Sequence, residues 1–234
     1  VYYFDGLFGG LPPGESFPKM KTLALTGLQK DETLGEAHSW LALANLHYDW
    51  NWVEAEKEFR RALELSPSNA DVHHDYAHYL LVMDRLNESM AESKRSIELN
   101  PFDTGLVACV GWHCLYSRQP DQSLEYCLKA LAMDPTNAYV HLSLGWTYEQ
   151  KSMFKEAIAE FKNAVSGWDN GLTNAALGHG FAASGNRRQA KEILAKLKER
   201  SKKGYVSAYD NAVVHQGLGD KDQAFEWLEK AYAE

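Results

Sequence analysis

The chain holds 234 residues, 45% hydrophobic and 24% charged, with 24 Lys+Arg against 32 Asp+Glu and a formal net charge of −8. That acid excess argues against nucleic acid as a partner, because phosphate binding rests on lysine and arginine; the basic residues around Arg200, Lys202 and Lys203 read as a solvated helix end. No stretch offers the ~18 consecutive apolar residues of a membrane span, and no basic segment followed by an apolar run marks a signal peptide.

In chain order, residues 1–5 read as the tail of a helix, Leu7–Pro18 as a Gly/Pro-rich loop, and Glu15–Lys30 as a helix carrying Phe17, Met20, Leu23, Leu25 and Leu28. Residues 1–35 therefore make a partial N-terminal unit. Six helix pairs follow over residues 36–234: 36–48 with 52–65, 70–83 with 86–99, 103–117 with 120–133, 137–151 with 154–167, 171–184 with 187–202, and 205–217 with 221–233. Pro67, Pro101 and Pro135 recur at intervals of 34 residues and end helices, since proline lacks the N–H and disfavours helix in the residue before it. Two residues after each stands a cap, Asn69, Asp103 or Asn137, able to accept the free N–H groups of the next helix. Asn51-x-x-Glu54, Pro120 and Asp220-x-x-Gln223 mark the starts of second helices, and Gly185 and Gly219 fill turns.

Two series of small residues fix where the paired helices cross. Ala44, Ala77, Gly111, Gly145, Gly178 and Ala212 form one; Ala55, Ser89, Ser123, Ala157, Ala190 and Ala224 form the other, both at spacings of 33 or 34. A third small position, Ala62, Ala130, Ala164 and Ala231, serves packing against the next unit. With Trp40, Leu43, Phe59 and Pro67 in the first unit and Leu144, Tyr148 and Phe161 in the fourth, this pattern resembles the tetratricopeptide repeat over residues 36–234. The resemblance implies an all-α, right-handed superhelical solenoid of antiparallel helix pairs. It departs from the pattern in a first turn one residue short at Tyr48–Trp52, in Leu197 where alanine is usual, and in the lack of a proline between the last two pairs.

The strings HYDWNWVEAEKEFRRALELSPSNADVHHDYAHYL and GDKDQAFEWLEKAYAE resemble C-terminal repeat arrays of large bacterial multidomain regulators, cyclases and kinases. That likeness implies a sensory or scaffolding module. The chain starts at Val1 rather than methionine, so it reads as a piece of a longer protein.

Stacked helix pairs leave a concave surface lined by first helices. The small residues face the paired helix, so the residue after each, about 100° further round, turns to the groove. That register puts Asn45, His78, Trp112, Trp146, His179 and Val213 on the groove floor. Leu41, His74, Ala108, Leu142, Ala175 and Tyr209 lie four residues earlier, and Tyr48, Leu81, Leu115, Glu149, Ala182 and Gln216 three later, with Asp71 and Tyr139 at the mouth. The expected partner-binding set is Asn45, His74, His78, Trp112, Tyr139, Trp146, Glu149, His179 and Tyr209. Trp112 and Trp146, one unit apart, suit an apolar or cationic side chain of an extended peptide, and read equally well as packing residues.

Some arrays of the resembled family bind acidic peptide C-termini through Lys, Arg and Asn. Here Asn45 alone fits that pattern, while Leu41, His74 and Asp75 break it, so the expected ligand is a neutral-to-basic or apolar peptide. His74 and His78 have the i, i+4 spacing of metal ligands, but without a third ligand of fixed geometry they read as a solvated face; no metal and no cofactor are expected. His73 reads as packing against the paired helix. Cys114 and Cys127 read as small core residues between the third pair's helices, and Cys109 as a groove-side thiol. Three cysteines with no CxxC suit a reducing, cytoplasmic setting. No catalytic motif is present, which points away from an enzyme. The alternative is a regulatory or self-assembling domain for a fused effector, with homo-oligomers forming through an uncapped end face of Leu218, Phe225, Leu228 and Tyr232.

Overall fold

The structure, a computed structural model, describes residues 2–234. It is all-helical among those residues: α1 (Tyr2–Phe8), α2 (Pro13–Lys30), α3 (Gly35–His47), α4 (Trp52–Leu65), α5 (Ala70–Val82), α6 (Leu86–Leu99) and α7 (Thr104–Tyr116) make the first half. The second half is α8 (Pro120–Met133), α9 (Ala138–Gln150), α10 (Phe154–Gly167), α11 (Gly171–Ala183), α12 (Arg187–Ser201), α13 (Ala208–Gly217) and α14 (Lys221–Tyr232). Each odd-numbered helix packs on the even-numbered helix after it, and α3, α5, α7, α9 and α11 pack also on the next pair, the nearest-neighbour logic of a solenoid.

Local chemistry sets the boundaries. The side chains of Asn51, Asn69, Asp103 and Asn137 accept backbone N–H groups at the starts of α4, α5, α7 and α9. Such caps contribute about 1 kcal/mol each. Asn170 and Thr173 close a reciprocal capping box on α11, and Ser207 caps α13, which starts three residues later than expected for that reason. Asp220, expected to cap α14, makes no side-chain cap bond. Within the six later pairs the turn passes through one left-handed residue, Trp50, Asp84, Arg118, Ser152, Gly185 or Gly219. Glycine adopts that conformation freely, whereas each of the four other residues holds it at a cost of roughly 1–2 kcal/mol.

The small residues sit where the helices cross. A Cβ on Gly145 would lie 2.4 Å from the ring of Phe161, and one on Gly111 would lie 2.7 Å from Cys127 Sγ, so the paired backbones approach too closely for a side chain. Phe59 and Phe161, fully buried, fill the space beside these crossings. Cys114 and Cys127 are buried between α7 and α8 as free thiols. The outer side of the pairs carries a repeated polar pin. His38, His73 and His141 each place Nδ1 on a glutamate of the paired helix, Glu58, Glu92 or Glu160, at 2.5–2.6 Å. Each Nε2 bonds a backbone carbonyl six residues earlier, at 3.0 Å.

The N-terminal segment differs from the expected long loop. Helix α1 runs to Phe8 and α2 begins at Pro13, because Gly9 turns the chain at φ 79 and proline is tolerated in a first helical turn. The buried face of α2 is Phe17, Met20 and Ala24, while Leu23 and Leu25 are 57% and 42% exposed. The array curls far enough for its ends to meet: the rings of Trp50 and Tyr232 lie 5.3 Å apart. Phe8 reaches Trp168, with ring centroids 5.4 Å apart, and its carbonyl accepts from Asn170 Nδ2 at 3.2 Å.

Candidate functional site

The curl encloses a cavity of about 1350 Å³ on the concave side. Of the sequence-predicted residues, His74, His78, Trp112, Tyr139, Trp146, Glu149, His179 and Tyr209 line it. Asn45 does not. It is buried, α2 covers its face of α3, and its Oδ1 accepts from Lys21 Nζ at 3.3 Å. His47, two residues on, is on the wall instead, against the ring of Tyr3.

The flanking rows need correction too. Leu41, Ala108, Leu142 and Leu115 are core residues and lie off the wall, because the inner face of each first helix is narrower than two full rows. Tyr48 stacks on Phe17, and Leu81 and Ala182 also lie off the wall. The positions three residues before the floor supply Cys109, Ala176 and Asp210. Of the supposed end face, Leu218 is buried in the core, while Phe225 and Leu228 turn to the cavity.

Trp112 and Trp146 are half-buried with one side on the cavity, so each is both packing and surface. The Trp112 ring lies 5.2 Å from His78 and 4.3 Å from Tyr116. Beneath it runs a line of imidazoles. Ser93 bonds His113 Nδ1, His113 Nε2 lies 3.2 Å from His78 Nδ1, and His78 Nε2 lies 3.1 Å from His74 Nε2. With no carboxylate bonded to any of these rings, burial dominates: it lowers His74 to about 4 and His113 to about 3, and it lowers His78 well below its usual value with help from His74, His113 and His47. Cys109 Sγ sits 3.3 Å from the Tyr139 hydroxyl, its thiol pushed up to about 12 by burial.

On the opposite wall, His179 Nδ1 meets Glu149 at 2.8 Å and Nε2 meets Gln216 at 2.7 Å; the Glu149 bond raises its pKa against the effect of burial. Asp210 is pushed up to about 7 by burial and then by Glu234. Among the described residues, Asp71, Asp103, Glu149 and Asp210 face the cavity against Lys221, a balance that repels anions.

A family model described as tetratricopeptide repeat matches residues 126–159, the end of α8 through the first turns of α10. The fold agrees over far more of the chain. The type IV pilus biogenesis factor PilW superposes with a TM-score of 0.65 at 19% identity, over 86% of this chain and 93% of PilW. The chain thus carries a tetratricopeptide repeat at residues 126–159 and has the helix-pair solenoid fold. A thermophilic repeat protein of Thermus thermophilus matches this repeat array with a TM-score of 0.62 at 17% identity, over 84% of the array and 98% of that protein. Human IFIT1, solved as a dimer with m7Gppp-AAAA, matches with a TM-score of 0.71 at 16% identity, over 93% of the array and 55% of IFIT1. At these identities the likeness is one of fold. The human interferon-induced protein with tetratricopeptide repeats 2 is 27% identical over 145 residues, 59% of this chain, and that stretch spans 30% of the relative's length. None of the described helices is long and apolar enough to cross a membrane.

The largest feature absent from the sequence reading is the place of α1 on the cavity wall. Tyr3, Phe4, Leu7 and Phe8 form part of the cavity wall, and Phe8 lies 6.2 Å from Tyr139 as well as against Trp168. A run of four aromatics and a leucine in eight residues was the available signal, but nothing in it names a partner 162 residues away.

Proposed function

We propose that this repeat array is a binding scaffold rather than an enzyme, and that its cavity receives a neutral-to-basic peptide segment, extended or helical, carrying aromatic or aliphatic side chains. The observation that carries this reading is the seating of α1: the cavity already accepts a short helix whose phenylalanine packs edge-on to Trp168. Its volume, about 1350 Å³, exceeds the ~300–1,000 Å³ of ordinary small-molecule sites and leaves room for further side chains beside α1. The acidic lining disfavours an acidic peptide or a nucleic acid, although IFIT1 is solved with capped RNA. A capped oligonucleotide that bound the array tightly at physiological salt would reverse that preference.

A synthetic peptide copying residues 2–12 is a defined probe, added in trans to the full chain bearing Phe4→Ala and Phe8→Ala so that the cavity is loosened. Adding Trp112→Ala and Trp146→Ala should weaken its binding by about tenfold or more, the range for aromatic anchors. Unchanged affinity rejects the Trp112–Trp146 floor as the binding surface.

The position of α1 also favours a second reading, intramolecular regulation, in which α1 holds the cavity until a partner or fused effector displaces it. Under this reading any cavity ligand binds the Phe4→Ala/Phe8→Ala chain more tightly than the native one. Self-assembly through the array ends competes with the Trp50–Tyr232 contact. Light scattering that showed concentration-dependent dimers would favour pairing of ends between chains. That the array serves as a module of a larger bacterial regulator rests on the phrasing of its repeats, and the complete reading frame tests it.

A further inference from the structure

Helices α5 and α7 bring together three soft or borderline donors that peptide binding does not require. His74 and His78 project from one face of α5, and Cys109 comes from α7 of the next pair. One donor atom from each lies within 4.8 Å of the other two. Ligands around a tetrahedral Zn²⁺, with Zn–N of ~2.0–2.1 Å and Zn–S of ~2.3 Å, stand roughly 3.3–3.6 Å apart, so small side-chain rotations bring this set to bonding distance. All three residues face the cavity, which gives an ion a path in.

The hydrogen bonds behind the cluster fix which nitrogen is free. Ser93 donates its hydroxyl proton to the Ser89 carbonyl at 2.8 Å, so Ser93 Oγ must accept from His113 Nδ1. His113 Nε2 is then the bare nitrogen and accepts from His78 Nδ1 at 3.2 Å. His78 Nε2 is left with its lone pair toward His74 Nε2, 3.1 Å away. A ligating histidine requires this arrangement: the far N–H held by an outer partner, the near nitrogen unprotonated.

We propose that His74 Nε2, His78 Nε2 and Cys109 Sγ form a three-ligand site for a borderline divalent transition-metal ion, Zn²⁺ being the reference, with the fourth position open to the cavity. His113 is a positioning residue that acts through His78. When the Zn–S bond forms, the Cys109 proton leaves to solvent, and the Tyr139 hydroxyl, 3.3 Å away, donates to the resulting thiolate. His74 takes up its proton on Nδ1 as Nε2 turns to the metal, so one proton is released overall. The assignment is independent of which peptide the cavity takes.

The full chain, reduced and freed of metal, is titrated with Co²⁺ and then Zn²⁺. The expected result is one Co²⁺ per chain, with intense tetrahedral visible bands and a thiolate-to-cobalt charge-transfer band in the near ultraviolet, displaced by equimolar Zn²⁺. Cys109→Ser, an isosteric change, should keep the helical circular dichroism and lose the charge-transfer band. His74→Gln should weaken Zn²⁺ binding by about a hundredfold, and His113→Gln by about tenfold, as loss of an outer partner does. Zn²⁺ should raise the Tm of the native chain but not of Cys109→Ser. The proposal is overturned by a Co²⁺ spectrum that survives Cys109→Ser, by octahedral bands alone, or by a Zn²⁺-induced Tm shift equal in native and variant chains; the cluster is then only a buried hydrogen-bond network.

Discussion

His73 and His74 are neighbours in the chain and opposites in the fold. His73 faces the paired helix, where Glu92 holds one ring nitrogen and the Pro67 carbonyl the other, and the carboxylate bond raises its pKa. His74 faces the concave side, where its partner is another imidazole, and burial lowers it to about 4. The same contrast runs through the array: His38, His73 and His141 are pinned to acids between helices of a pair, while His74 and His78 on the cavity wall and His113 buried behind them meet one another. A 100° step around one helix separates a structural pin from a neutral, ligand-capable ring. Side-chain type says little about histidine; the partner it meets decides its charge.

The contrast makes graded predictions. His113→Ala should cost the most, about 3 kcal/mol in urea unfolding, because a fully buried ring leaves a void and strips Ser93 and His78 of their partner. His141→Ala, at a pin, should cost about 1–2 kcal/mol: two hydrogen bonds go, but Glu160 is near enough to solvent to recover water. Equal costs at the two sites would erase the distinction drawn between them.

The pH profile of stability offers a further test. His47 on the cavity wall is lowered from 6.5 to about 4 by burial, so its folded ring refuses a proton that the unfolded chain accepts. Stability should therefore fall as pH drops from about 6.5 to about 4, and His47→Phe should flatten that limb. His179 behaves oppositely. Its folded pKa is raised by Glu149, so its contribution is complete below 6.5 and disappears as pH rises through the raised value. His179→Gln should flatten that second decline in thermal melts taken from pH 5.5 to 8.5, and identical profiles for both variants would break the comparison.

The concave surface was legible in part. The floor positions His78, Trp112, Trp146, His179 and Val213 follow from one rule, the residue after each small crossing residue, and all five line the cavity. Asn45 obeys the rule and fails, because at the first pair α2 and Lys21 cover the face that the cavity occupies further along. The metal-type spacing of His74 and His78 was visible, but Cys109 stands 31 residues beyond His78, and only the packing of α7 on α5 brings its sulfur to them.

What the sequence by itself determined is the repeating part: helix lengths, the proline and cap boundaries, and the small residues at each crossing. These depend on interactions within a few turns or between adjacent helices, which a period of 34 residues records directly. The tertiary structure alone decided that α1 lies across the concave side, that the two ends meet at Trp50 and Tyr232, and which histidines face acids and which face one another. Those outcomes arise from the rotation accumulated over successive pairs, and a local pattern fixes each step of that rotation without stating where the sum arrives.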